Sequence, residues 1–323
     1  MSDAPINQDG QTPVKKRAIN RGDMTKWQWT LREMRVNKVG YFMVAPFFLL
    51  FAVFTVLPII LSLFFSLTIF NMLEFPKFIF LDNYIRLLLD DDIFLKAIQN
   101  TFVFALVTGP ISYLLSFMMA WFINELSPKM RAFVTLIFYA PSISGQVFMI
   151  WQVIFSSDQY GYANSLLLRF NLIQAPILWF QNATYVMPLC IVVALWLSLG
   201  TSFLAFIAGL QVVDRTYYEA GAVDGIKNRW QELWYVTLPL MKNQLMFGAV
   251  MTITGSFGFG GVVSALAGVP SIDYCAHTIM HHLDMFGSSR FEMGYASAIA
   301  TLLFCLMVGA NLVVNRLISK VGS

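Results

Sequence analysis

The residue types best suited to chemistry gather late in the chain. His277, His281 and His282 stand with Cys275 and Asp284. A spacing of four places two imidazoles on one helical face, as a metal site requires. No second motif completes a ligand set, so no metal is expected and the cluster reads as a polar loop. Cys190, Cys275 and Cys305 give no disulfide framework. The sequence contains no paired carboxylates, no nucleophile elbow and no phosphate-cradling G-x-x-x-x-G-K-[ST] pattern. The chain is therefore expected to be non-catalytic and to bind no cofactor of its own.

Charge is organised in one other place. The sequence reads Glu219-Ala220-Gly221-Ala222-Val223-Asp224-Gly225, then ten residues later Val236-Thr237-Leu238-Pro239. Tyr217, Ala220, Gly221 and Asp224 fall at i, i+3, i+4 and i+7, one face of a short helix that Gly225 can end in a left-handed conformation. A second helix starts near Lys227. There Trp230, Leu233, Trp234 and Thr237 repeat at the same spacing, a narrow stripe able to anchor the segment, and Pro239 marks a change of direction. Glu219, Asp224, Lys227 and Arg229 then face outward. A hinged helical pair of this kind is a docking surface.

The elements that position these groups belong to a membrane chain. Of the 323 residues, 58% are hydrophobic and 12% charged, about half the charge of an ordinary soluble domain. Mean hydropathy is +0.66. Runs near the roughly 20 apolar residues that cross a bilayer predict an all-α integral membrane protein with six transmembrane helices, about 41–70, 97–123, 132–155, 184–210, 244–266 and 293–318. The first run exceeds a signal-peptide core and is read as retained. Lys and Arg concentrate before the first span, after the second and fourth, and at the end of the chain. Positive charge stays inside, which predicts cytoplasmic termini and a cytoplasmic 211–243 segment. The net charge of +3 is thus a topology signal and implies no nucleic acid.

Residues 1–25 are polar and are expected to be a disordered tail. Residues 26–38 carry Trp27, Leu31 and Met34 at helical spacing among Arg32, Arg35 and Lys38, which suits an interfacial helix on anionic lipid. The other side of the membrane receives Asp90, Asp91 and Asp92, a docking point for a partner or a solvated turn. It also receives the histidines, as a wet amphipathic loop under an extracytoplasmic partner.

Apart from Arg316 near the end of the last, the spans contain no Asp, Glu, Lys, Arg or His, and such residues mark proton relays, ion sites and voltage sensors. Neutral polar and aromatic residues take their place. Gln146, Trp196, Thr252, Ser256 and Asn311 are the residues expected along a path for a neutral, hydroxyl-rich solute. The same groups could equally bond helices together. Gly255, Gly258, Gly260 and Gly261 make the fifth span the candidate for a broken or gating helix.

The Glu219 segment resembles the EAA motif of permease subunits of bacterial ABC importers, E-A-A-x-x-x-G followed nine residues later by I-x-L-P. Two departures are visible: Gly221 replaces the second alanine, and one extra residue precedes Val236. From about Tyr41 onward, Asp82-Asn83-Tyr84, Asn100-Thr101, Ala140-Pro141-Ser142 and Tyr160-Gly161 with Asn164 resemble binding-protein-dependent carbohydrate permeases of the maltose and glycerol-phosphate type. The resemblance implies the type I importer (MetI-like) fold over residues 39–323, with 211–243 as coupling loop. It implies that Glu219, Ala220, Gly221, Asp224, Gly225, Leu238 and Pro239 engage a cytoplasmic ATPase that holds ATP and Mg, with Ala220 and Gly221 packed into its cleft. The remaining partners would be a second, related permease and an extracytoplasmic solute-binding protein, in a bacterial cytoplasmic membrane. Such a chain forms half a pathway for a sugar or oligosaccharide. An ion-coupled secondary transporter or channel, and an importer of another polar solute such as glycerol phosphate, stay open as alternatives.

Overall fold

A computed structural model describes residues 26–319. The expected disorder of 1–25 lies outside the described residues. The chain divides into two units, up to Ile60 and from Leu61 onward. The first holds α1 (Lys26–Val36) and α2 (Lys38–Phe51), the latter followed by a wide π turn at Ala52–Val56. Pro46 sits inside α2, a placement that membrane helices tolerate. A helical stretch of membrane length, Lys38–Phe65, is completed by α3 (Leu57–Phe65).

The second unit opens with a hairpin, β1 (Thr68–Ile69) against β2 (Lys77–Phe78), pairing Thr68 with Phe78. Buried Asn83 on α4 (Asp82–Ile85) donates Nδ2 to the carbonyls of Ser66 and Thr68, both at 2.9 Å, and Tyr84 donates to Ser66 Oγ at 2.8 Å. The Asp-Asn-Tyr triplet is thus a structural stitch. Then follow α5 (Asp92–Asn124), α6 (Pro128–Ile143), α7 (Met149–Ile154), α8 (Tyr162–Arg169), α9 (Ala183–Leu197), α10 (Thr201–Val212), α11 (Arg215–Val223), α12 (Arg229–Glu232), α13 (Leu238–Leu240), α14 (Lys242–Gly258), α15 (Gly260–Ala267), α16 (Ile279–Asp284) and α17 (Met293–Ser319).

Among the described residues, five stretches have the length and hydropathy to cross a membrane: Lys38–Phe65, Asp92–Asn124, Ala183–Val212, Lys242–Ala267 and Met293–Leu317. The segment expected as a third span, 132–155, is instead two shorter helices, α6 and α7, separated at 144–148. Ser144 turns extended there, beside Pro141 and Gly145. Hydropathy registers the apolar run and is blind to this interruption. The expected break in the next glycine-rich stretch falls at Phe259, between α14 and α15.

Helices in lipid gain little from hydrophobic burial against each other and associate through close packing and small residues. The packing of α10 on α5 and α14 follows that rule. Phe206 of α10 meets Tyr113 and Phe117 of α5 edge-on, at ring distances of 5.4 and 5.6 Å. Its ring also lies over Gly248 of α14, where a Cβ would overlap it. Ser202 donates to the Gly248 carbonyl at 3.2 Å and lies 3.1 Å from Thr252 Oγ1. At the end of the helices that carries α8, fully buried Asn164 donates to the carbonyls of Ser156, Asp158 and Ile177 and accepts from Ile177 N–H and Trp179 Nε1–H.

Candidate functional site

Three helical breaks meet at one cavity. The α6–α7 interruption, the bend at Gly200 between α9 and α10, and the Phe259 bend all contribute to a cavity of about 650 Å³. Non-helical backbone at membrane depth is tolerated only inside protein or against a wet cavity, so the breaks and the space explain each other. Its wall carries hydroxyls from Ser112, Ser142, Ser144, Ser198, Thr201, Ser202, Thr252 and Ser256, beside Phe148, Leu197, Met251 and Phe259, and no charged side chain.

Most of those hydroxyl protons are already used. Thr252 donates to Gly248 O, Ser256 to Thr252 O and Ser142 to Tyr139 O, each at 2.8 Å, and Ser198 donates to Leu195 O at 2.6 Å. Their oxygens therefore face the cavity mainly as acceptors. Ser112 Oγ is buried and has no partner. Of the five residues expected along a path, Thr252 and Ser256 line this cavity. Gln146 lies between the lining residues Gly145 and Val147 but is not itself in the wall. Trp196 packs its ring 5.4 Å from Trp151, and Asn311 donates to its own helix at Met307 O. Residue type pointed to all five; facing direction, which sequence does not carry, separates them.

The 211–243 segment is built by its caps. Asp214 accepts from Thr216 N–H and starts α11. At the other end Gly225 takes φ +97°, Ile226 N–H bonds Gly221 O at 2.9 Å, and Gly225 N–H bonds Ala222 O at 3.3 Å. This 6→1 and 5→2 pair is a Schellman motif. Its hydrophobic contact is present too, because Ile226 folds over Gly221, where a Cβ would come within 2.9 Å of the Ile226 Cδ1. Asn228 caps α12 by accepting from Gln231 N–H, and Gln231 Oε1 accepts from Lys227 N–H. Glu219, Ala220, Asp224 and Gly225 are exposed, as are Lys227, Arg229 and Pro239.

Two expectations for this segment are corrected. Gly221 is buried inside the chain against Ile226 and Val236, so its small size serves the helix end rather than a cleft in a partner. The anchoring stripe is also displaced. Leu233 is buried in the core with Phe117 and Met241, and Trp230, although 55% exposed, packs its ring at a tilt 5.1 Å from Trp121 of α5. Trp234 is 64% exposed and does not anchor. The stripe assumed one uniform helix, whereas α12 is four residues long and opens into a π turn at Leu233–Thr237. That turn keeps Thr237 inward and brings in Val236 in place of Trp234. Thr237 Oγ1 lies 3.1 Å from Tyr218 OH, joining the two halves of the segment. Arg229 clamps the segment to α5 through Glu125 and also pairs with Glu232 of its own helix, both at 2.9 Å.

The histidines are the largest correction. His277, His281 and His282 are 0%, 0% and 1% exposed, not a wet loop. Asn100 of α5 donates to the carbonyls of Tyr274 and His277, both at 3.0 Å, and Ile279 N–H donates to Thr101 Oγ1. These bonds pull the loop into the core. Burial lowers the pKa of all three imidazoles, that of His277 to about 3. Among the described residues no group of three or more His, Cys, Asp or Glu could hold a metal ion. Asp91 is no free docking acid either: it caps α5 by accepting from Phe94 N–H at 2.9 Å.

Long apolar helices broken around an uncharged, hydroxyl-lined cavity define a membrane permease. The chain belongs to the family described as binding-protein-dependent transport system inner membrane component, whose signature matches residues 112–322. A probable ABC transporter permease protein of Bacillus subtilis (strain 168), YesP, is 33% identical over 89% of this chain and 92% of its own length. The lactose transport system permease protein LacF of Rhizobium radiobacter is 33% identical over 68% of this chain and 72% of its own. The arabinooligosaccharides transport system permease protein AraP of Bacillus subtilis (strain 168) is 28% identical over 94% and 97%. In fold, the chain superposes with a TM-score of 0.74 on a chain from the crystal structure of a bacterial alginate ABC transporter in complex with alginate pentasaccharide-bound periplasmic protein, at 20% identity over 90% of this chain and 98% of that one.

Proposed function

We propose that this chain is one permease subunit of an ATP-driven importer and forms half of the pathway for a sugar or oligosaccharide delivered by a solute-binding protein. The observation that carries the reading is the cavity where three helical breaks converge. It is polar enough to solvate hydroxyl groups and carries no charge that would support ion coupling. The family match and the carbohydrate permeases among the relatives support the same substrate class.

The chain lies in the bacterial cytoplasmic membrane with both termini and the 211–243 segment inside, as its Lys and Arg distribution favours. A second, related permease completes the pathway. A separate ATPase dimer binds ATP and Mg and docks on the exposed face of α11, where Glu219, Ala220 and Asp224 lie, with Leu238 and Pro239 at the far end of the segment. Closing the ATPases moves that face, and the Arg229–Glu125 clamp and the Trp230–Trp121 contact pass the motion into α5. The two-state change is biased by nucleotide on one side and solute on the other.

The test is ATP-dependent uptake in membrane vesicles carrying the complete transporter. Glu219→Lys and Gly225→Asp are expected to leave the chain in the membrane and abolish uptake. Normal uptake in both variants would remove the coupling assignment.

A further inference from the structure

A second opening, about 480 Å³, lies at the end of the helices opposite the Glu219 segment; Gln152, Ser156, Asp158, Phe180, Gln181 and Leu266 form most of its wall. Its position relative to the central cavity follows from helix geometry. Phe148, in the central wall, and Gln152, in the far wall, are four residues apart beside and on α7; Val262 and Leu266 stand in the same relation on α15. Residues at i and i+4 share a face one turn apart, about 5.4 Å. The two spaces therefore open on one continuous wall, in series. At the waist Gln152 Nε2 donates to Ala265 O at 2.6 Å, tying α7 to α15.

We propose that this far-end cleft is an entry subsite for carbohydrate, selective for neutral over anionic sugars. The proposal rests on the sugar-import reading above and deepens it. Amides from Gln152 and Gln181, a hydroxyl from Ser156 and an apolar floor from Phe180 and Leu266 match a polyol, which presents hydroxyls at its edges and C–H groups on its faces. The charge selection comes from Asp158. Its Oδ1 accepts from Tyr160 and Gly161 N–H, and its Oδ2 from Ser156 Oγ. The Ser156 bond and those two backbone bonds hold its carboxyl below the usual range, so the cleft carries a fixed negative charge. Neither cleft nor cavity is lined by Lys or Arg. A carboxylated or phosphorylated sugar, which needs donors and cations, meets mostly acceptors along this wall. A neutral sugar brings its own donors.

The test is saturation-transfer NMR on the full chain, co-purified with its native partner subunits in nanodiscs without ATP. The neutral probes are maltopentaose, cellopentaose and arabinopentaose; the acidic probe is pentagalacturonate. At least one neutral probe is expected to give a signal threefold or more above the acidic one. Gln181→Trp, which fills the cleft, is expected to reduce it at least threefold with melting temperature unchanged. The double variant Asp158→Asn/Gln181→Arg is expected to raise the acidic signal at least threefold, a gain that misfolding cannot produce. Equal signals for neutral and acidic probes, absence of every neutral signal, or an unchanged acidic signal in the double variant would overturn the proposal. Since binding is read without ATP, failure of ATP-dependent uptake would strike the importer reading alone.

Discussion

His282 Nε2 stands 3.1 Å from Asp91 Oδ2, linking α16 to the cap of α5, and Tyr295 of α17 donates to the same oxygen at 2.8 Å. His282 Nδ1 lies 3.0 Å from His277 Nε2. Burial works to raise the pKa of Asp91, but bonds from Phe94 N–H, Tyr295 and His282 outweigh it and hold it low. The ionised carboxylate accepts a hydrogen bond from Nε2–H of neutral His282, whose Nδ1 then accepts from His277 Nε2–H. One tautomer chain thus joins three elements at a single acid.

The sign of the pH dependence follows. Imidazoles whose folded pKa lies below 6.5 leave the unfolded chain binding more protons, so stability is fully present above about pH 6.5 and falls as the solution is acidified. The loss continues down to the folded pKa, about 3 for His277. Asp91 adds its own loss below its ordinary pKa of 3.8. Arg86 and Arg290, which further disfavour a charged His282, act in the same direction. Between pH 6.5 and 5, His277 alone contributes a loss of about 2 kcal/mol. Melting temperature in nanodiscs is expected to fall over that range, less steeply in His277→Gln. A flat profile in the parent chain would refute the assignment.

Gly221→Val is expected to act inside the chain, since its side chain would strike Ile226 and Val236. It should destabilise the α11 end by about 1–3 kcal/mol, the usual cost of overpacking. Proteolytic nicking within 211–243 would rise in the isolated subunit. If the variant resists protease and fails only when the ATPase is added, Gly221 contacts the partner instead.

Gly248→Val should separate α10 from α14, because a Cβ there overlaps the Phe206 ring. A cost of about 1–3 kcal/mol is expected. Shrinking the opposing ring in Gly248→Val/Phe206→Leu should recover part of it. Additive losses in a double-mutant cycle would show that the two positions do not meet.

Asn164→Ala removes five hydrogen bonds at one buried side chain. Each buried group left unpaired costs roughly 1–3 kcal/mol, so a loss of about 2–4 kcal/mol is expected, read as lower melting temperature and faster amide exchange over 156–179. Unchanged exchange would contradict a structural role.

Hydropathy alone located five of the six expected membrane-length runs, because crossing hydrocarbon demands a long apolar stretch whatever its packing. Gly225 likewise announced the end of the helix that carries Glu219, since a left-handed cap depends on near neighbours in sequence. Facing directions were another matter. Trp234 and Val236 exchange places through a π turn, and the 144–148 interruption survives because a cavity lies beside it. The histidines read as a solvent-exposed loop until Asn100 and Thr101, more than 170 residues away, drew them into the core. What the sequence by itself determined was composition, five of the six expected spans and the Gly225 helix end, which are local properties. Tertiary structure decided which polar groups face the cavity and which are sealed from water, because burial and orientation depend on elements distant in the chain.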